Sequence, residues 1–283
     1  MTTQTAADGA YKTVATQPKQ PGVDAWLRAL APEIERALPK GMDADRIARL
    51  VFTEVRKSQR AKAAGIAISS LDECTKESFA GALLTSSALG LEPGVNGECY
   101  LIPFKDNKSR TVECQLVVGY QGIVKLFWQH PRAEFIDAQA VYERDEFRYA
   151  KGLNPVLEHV PFAGDPDERG EVVAYYAVAK ARGAAALWDV FTPKQIGRLR
   201  NGKVGPSGKI ADPQRWMERK TALKQVLKLA PKTTRLDMAL RADENTGSEL
   251  NHTIVPAITS APDYIDGEFD EQPSDEQPAD TEN

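Results

Sequence analysis

Cysteine is scarce. Cys74, Cys99 and Cys114 are the three in 283 residues, an odd number without metal-ligand spacing, so neither a disulfide framework nor a zinc centre organises the chain. Free thiols in a reducing compartment are expected, with Cys99 and Cys114 near neighbours on two strands of one hairpin. Histidine is equally thin: His130, His159 and His252 are scattered and build no metal or acid–base centre. No apolar run approaches the length of a membrane span, and the opening MTTQTAADGAYK has no apolar signal core, which argues for the cytoplasm and against a membrane. A nucleotide-binding loop is missing too. GKVGPSGKI has Lys203 where the pattern needs its first glycine and Ile210 where a hydroxyl would meet Mg²⁺, so no nucleotide hydrolysis and no cofactor is expected.

Positive charge is absent from one end. From Ala242 to Asn283 there are 12 acidic residues and no Lys or Arg. The formal net charge of -4 therefore hides an asymmetry: residues 1–241 hold 36 basic and 28 acidic side chains. Within Lys194–Arg241 the balance is 13 basic to 3 acidic. A basic body with an acidic tail is the pattern of proteins that bind polyanions.

With 42% hydrophobic residues the chain can bury a core. Residues 1–22 are polar with Pro18 and Pro21-Gly22 and are expected to be a disordered arm; residues 242–283 are expected to be a disordered acidic tail, because neither can bury enough apolar area to offset its ordering entropy. Between them, residues 23–241 read as one α+β domain, with a β-hairpin and a small antiparallel sheet packed on helices. Helices are expected over Val23–Leu38, from an Asp43 cap to Lys57, over Phe79–Leu89, over Gly119–Gln129, from Thr192-Pro193, and from Asp212-Pro213 to about Leu229. Strands are expected at 98–104, 112–118, 133–142, 145–150, 171–180 and 185–191. Residues 172–179 are apolar on both alternating faces, which predicts burial within a sheet.

Three basic segments are the candidate site. The hairpin 98–118 has Lys105, Lys108 and Arg110 around an Asp106-Asn107 turn and ends in Gly119-Tyr120-Gln121-Gly122, with Lys125 one turn on. Glycine permits close backbone approach there. Tyr120 is either a stacking surface for a base or a packed strand-end aromatic, and Gln121 can bond a phosphate or base edge. The second segment, Lys194, Arg198, Arg200, Lys203 and Lys209, surrounds a glycine-rich loop at 201–211. The third is the last helix, where Lys220, Lys224 and Lys228 recur at i, i+4, i+8 on the border of an apolar face, about 6 Å apart. Like charges so placed repel, so an anion beside them is expected. Arg219 falls inside the apolar arc, which leaves two readings: a buried ion pair or a side chain reaching into a groove.

The motifs LGLEPG, CYLIPF, VVGYQGIVKL, FTPKQIGRLR and WMERKTALKQVLKLAP, in this order from about Leu38 to Pro231, resemble the RecT/Redβ family of phage-type single-strand annealing proteins. The resemblance implies binding of single-stranded DNA, ATP-independent pairing of complementary strands into an annealed duplex, and ring or helical-filament homo-oligomers in a bacterial cell or phage-infected host. Lys220 falls on the lysine before Thr-Ala in the family's motif. One departure stands out: Phe127-Trp128-Gln129-His130 replaces a basic pair common in the family, so Trp128 either stacks in place of charge or meets a neighbouring protomer. The acidic tail, with Tyr264 and Phe269 among acids, fits a solubilising segment, a competitor of DNA for the basic groove, or a docking motif for an exonuclease or a host single-strand-binding protein.

Two alternatives come from other classes. Asp212 with Glu218-Arg219-Lys220 imitates the carboxylates of a Mg²⁺-dependent nuclease. Such carboxylates must converge on the ion, whereas Glu218 and Lys220 stand about 200° apart on a helix. The other alternative is an RNA-binding interaction module.

Overall fold

The computed structural model describes residues 23–105, 110–200 and 215–244. Outside them lie the arm 1–22, the expected tail 242–283 except for its first three residues, the hairpin tip with Lys108, and the glycine-rich loop with Lys203 and Lys209.

Amphipathic spacing builds the helical layer. Helix α1 (Val23–Ala37) buries Leu27 and Ile34, and α2 (Ala44–Ala63) buries Ile47, Val51 and Val55. The Asp43 carboxylate accepts from the Asp45 amide and caps α2 as expected, but the helix runs one and a half turns beyond Lys57. Helix α3 (Lys76–Leu89) starts at the Thr75 cap and stops at Gly90, whose φ of 72° is the left-handed conformation glycine adopts without strain. Trp26 of α1 meets Phe79 of α3 edge to face at 5.3 Å.

The hairpin of β1 (Cys99–Lys105) and β2 (Val112–Val118) packs on α3. Its register sets Cys99 opposite Val118 and Cys114 opposite Pro103. The expected proximity of Cys99 and Cys114 is thereby corrected: four ladder positions part them, and the thiol hydrogen-bonded to Cys114 is that of Cys74. All three thiols are free.

Helix α4 (Tyr120–Trp128) leads into a three-stranded antiparallel sheet of order β3-β6-β7, formed by Ala133–Tyr142, Val172–Ala181 and Leu187–Phe191. Both faces of β6 are covered, which is why its alternation is apolar twice over. Tyr175, Ala177 and Ala179 face the main core, while Ala174, Tyr176 and Val178 face a smaller cluster with Phe147 and Leu157. Those two belong to the hairpin of β4 (Glu146–Ala150) and β5 (Val156–Val160). Strand β5 was not among the strands expected from sequence.

Helix α5 (Pro193–Arg200) begins where Thr192-Pro193 predicts, and α6 (Trp216–Leu227) packs across the sheet on β3, β6 and β7. Helix α7 (Thr234–Glu244) is the main difference from expectation. It buries Leu236, Ala239 and Leu240 against β2, α3 and α4 and carries Ala242, Asp243 and Glu244 into the ordered body. The α+β class holds, with one core shared by the helices and both larger β units. No helix among the described residues is long and apolar enough to cross a membrane.

Candidate nucleic-acid interface

The step after the hairpin is built on close backbone contact. The Gly119 amide donates to the Glu98 carbonyl at 2.8 Å. A β-carbon on Gly119 would stand 1.8 Å from the Gly97 carbonyl oxygen, and one on Gly122 would stand 2.1 Å from the Glu98 carbonyl oxygen. Only glycine lets α4 start against this turn. Gly122→Ala is expected to cost about 1–3 kcal/mol or more through overpacking against backbone, read as a lowered midpoint in urea unfolding; an unchanged midpoint would show that the turn yields freely.

Beyond the step, three side chains form one cluster. Tyr120 and Trp216 lie with ring centroids 5.0 Å apart, and the Arg219 guanidinium sits 4.5 Å from the Trp216 centroid and 5.4 Å from that of Tyr120. Arg219 Nε also donates to the Ala138 carbonyl. Neither sequence reading of Arg219 anticipated this: its partners are two aromatic faces and a backbone oxygen. Tyr120 is half-buried, Trp216 is 37% exposed, and Gln121 is exposed beside them. A rigid aromatic pair with a cation across its faces has the composition of a base-stacking platform.

Lys125 is tied down. Its ammonium bonds Glu98 at 2.7 Å; Glu98 accepts from the Glu92 amide, and Glu92 takes a two-pronged contact from Arg46 at 2.6 and 2.9 Å. The Arg46 hydrogen bond holds the Glu92 carboxyl below its usual range. Lys125 thus anchors the turn to α4.

The lysine ladder has its anion, and the anion is the chain's own. Asp243 bridges Lys220 and Lys224 with one carboxylate oxygen each, both at 2.5 Å, and Glu244 bonds Lys228 at 2.8 Å. Burial pushes the Lys220 ammonium down against the opposing pull of Asp243. For Asp243, burial acts upward, but the two lysines more than offset it and hold the carboxyl below its usual range. Lys220 is 5% exposed and enclosed by Asp243.

Other cations are open. Lys194 and Arg198 of α5 and Lys105 and Arg110 of the hairpin are exposed. Arg200, at the end of α5, pairs with Glu218 of α6 at 2.6 Å, so the carboxylate of the imagined nuclease set is committed to an arginine. The fold brings α5, α6 and the end of α7 around one cleft of about 170 Å³, lined by Arg200, Lys220, Lys224 and Lys228 among others. Lys105 of the hairpin is not in that lining. Lys105 lies six ladder positions from the Cys99 end, roughly 20 Å at strand rise.

Sequence reasoning missed Asp243 and Glu244, which it counts with the acidic tail, and the packing of Trp216 against Tyr120 and Arg219. It also missed a buried polar centre beneath the β4–β5 hairpin. Asp145 there accepts from Arg169 at 2.7 and 2.8 Å and lies 3.0 Å from His159 Nε2, whose Nδ1 is 3.2 Å from the Tyr176 hydroxyl.

Comparison with known proteins agrees with the motifs. The RecT family model matches residues 45–256. Protein RecT of Escherichia coli (strain K12) is 32% identical over 238 residues, covering 83% of this chain and 84% of that protein. A family match across most of the ordered body and a relative aligned over most of both lengths lead to one assignment: the chain belongs to the RecT family.

Proposed function

We propose that this protein binds single-stranded DNA and promotes annealing of complementary strands without ATP, as a recombination protein. The observation that carries the reading is RecT family membership over residues 45–256. The Tyr120–Trp216–Arg219 cluster next to the basic α5–α6 region supports it. Bases lie on the aromatic faces, where any base is accepted, with Gln121 at the edge. Phosphates run along exposed Lys194 and Arg198 and the rim lysine Lys228, and Lys105 and Arg110 extend the contact on the hairpin. Neutralised phosphates release counterions, so affinity falls steeply with salt. With bases held apart from one another, a complementary strand pairs against them, and stacking of about 1.4 kcal/mol per step drives the duplex forward. The residues then act by positioning and by screening repulsion, with no bond-breaking step of their own.

A short contact per protomer binds weakly. Head-to-tail association along the strand, closing into rings or continuing as a helix, supplies the remaining affinity. The setting is the cytoplasm of a bacterial or phage-infected cell, and the tail beyond Glu244 is a docking segment for a partner protein of the same pathway.

The test mixes two complementary labelled oligonucleotides without nucleoside triphosphate. Annealing faster than in buffer is expected; a rate equal to the protein-free control would end the reading. Cleavage of the labelled strands when Mg²⁺ is added would move the assignment to a nuclease, and preferential competition by RNA would move it to an RNA-binding module. Within this assay Trp216→Ala is expected to weaken single-strand binding by about 1–3 kcal/mol, the contribution of one stacked base. Anisotropy at fixed salt measures it, and an unchanged Kd would remove Trp216 from the platform.

A further inference from the structure

We infer that the cleft between α5, α6 and the end of α7 is a backbone-phosphate site that the chain itself occupies with Asp243 and Glu244, so that the last turn of α7 is displaced when single-stranded DNA enters. This rests on the DNA-binding reading above and adds a built-in competitor to it.

The geometry is that of a phosphate stand-in. A phosphodiester shares one negative charge between two non-bridging oxygens, and Asp243 presents the same pair: Oδ1 to Lys220 and Oδ2 to Lys224, each at 2.5 Å. Glu244, the next residue, reaches Lys228 at 2.8 Å, one helical turn along the ladder. Two successive carboxylates therefore meet three lysines spaced about 6 Å apart, as two successive phosphates of an extended strand would.

The charges are also uneven. Lys220, Lys224 and Lys228 face Asp243 and Glu244, and Arg200 is matched by Glu218. Among the described residues this sets four cations against three carboxylates, in a cleft where the Lys220 and Asp243 side chains are 6% and 7% exposed. Buried cations need an anion, so the carboxylates leave only when another anion takes their place. That makes the contact an exchange and not a spontaneous opening.

The helix itself favours release. Asp243 and Glu244 sit in the last turn of α7, the end where the helix dipole disfavours negative charge. Besides the helix's own hydrogen bonds and the buried Ala242, the lysines hold that turn in place, and once phosphates engage them this ionic hold is gone. The hydrophobic anchors Leu236, Ala239 and Leu240 lie further back, so the body of α7 stays docked while its end moves.

Hydrogen exchange on the unmodified full-length protein, with and without a 30-nucleotide oligo-dT, tests this. Amides of 241–244 are expected to exchange at least about tenfold faster with DNA bound, while those of 236–240 stay protected. Unchanged or slower exchange at 241–244, under conditions where anisotropy shows the oligonucleotide bound, overturns the displacement and leaves the DNA-binding reading intact. Failure of the oligonucleotide to bind at all overturns that reading instead. A second arm measures affinity. Glu244→Gln, at the half-exposed rim, is expected to bind oligo-dT about threefold more tightly, and Asp243→Asn, which also loosens the fold, about tenfold more tightly. Equal or weaker binding by Glu244→Gln would mean that the carboxylates do not compete with DNA.

Discussion

Asp145→Asn is expected to lower stability by about 3–5 kcal/mol, the cost of breaking a buried ion pair from one side. The Asp145 side chain is fully buried. Its oxygens accept both Arg169 contacts and the amides of Tyr142 at 2.8 Å and Phe162 at 2.9 Å, and His159 stands against one of them. An asparagine keeps one acceptor and turns an amide NH₂ towards the Arg169 donors, leaving the guanidinium without its counter-charge. Arg169 also lies 4.2 Å from the Tyr142 ring centroid, and His159 meets Phe147 and Tyr176 edge to face. The loss therefore spreads to the β4–β5 hairpin and the face of the sheet that it covers. The pH dependence has a definite sign. Burial alone would raise the Asp145 carboxyl, but the Arg169, Phe162 and Tyr142 hydrogen bonds together hold it well below the usual carboxylate range. A depressed carboxyl contributes stability that is complete above its unfolded value near about 3.9 and is lost as pH falls through the folded one. Wild type should thus show a steep loss of unfolding free energy below about pH 4, and Asp145→Asn a shallower one from a lower plateau. Urea unfolding at several pH values measures both. A drop under about 1 kcal/mol, within the range of an ordinary hydrogen bond, would show that Arg169 finds another partner.

How legible the molecule was from its residues depended on how local the cause was. The hairpin, the two-faced β6, the Asp43 cap and the Pro193 start are all written in patterns of a few residues, and they appear where those patterns place them. Strand β5 was invisible because VLEHV follows Pro155 among polar residues, and its apolar contact with the sheet comes largely from Leu157. Helix α7 was lost to composition: Leu236 and Leu240 keep helical spacing, but the acidic tail begins within the same turn, and Asp243 and Glu244 were counted as solvent-facing charge. At the candidate site, the ladder of lysines was readable as a row, because a helix fixes i, i+4, i+8. What faces the row was not, since Asp243 comes from another helix 23 residues beyond Lys220. The same holds for Tyr120 and Trp216, which come from separate helices, and for Asp145 and Arg169, 24 residues apart. Pairing across the fold leaves no periodic trace in one sequence.

Asp243→Ala should have the other large effect, about 3–5 kcal/mol, because it strands two enclosed ammonium groups with no anion between them. The comparison with Lys220→Met separates electrostatics from packing. That substitution removes one of two cations sharing a single carboxylate, keeps a long apolar stem in the core, and leaves Asp243 paired with Lys224 at 2.5 Å. It is expected to cost far less, under about 1.5 kcal/mol, as volume-conserving core changes do. The double variant Lys220→Met, Asp243→Ala should then be more stable than Asp243→Ala alone, since one of the two stranded charges is gone. If charge is the cause, a polyanion must also repair the damage: oligo-dT should raise the melting temperature of Asp243→Ala by more than it raises that of wild type, because in the variant no carboxylate has to be displaced. Thermal melts of the four proteins with and without oligonucleotide decide it. Equal losses for Asp243→Ala and Lys220→Met would assign the contact to packing between α6 and α7, with the ion pair contributing nothing of its own.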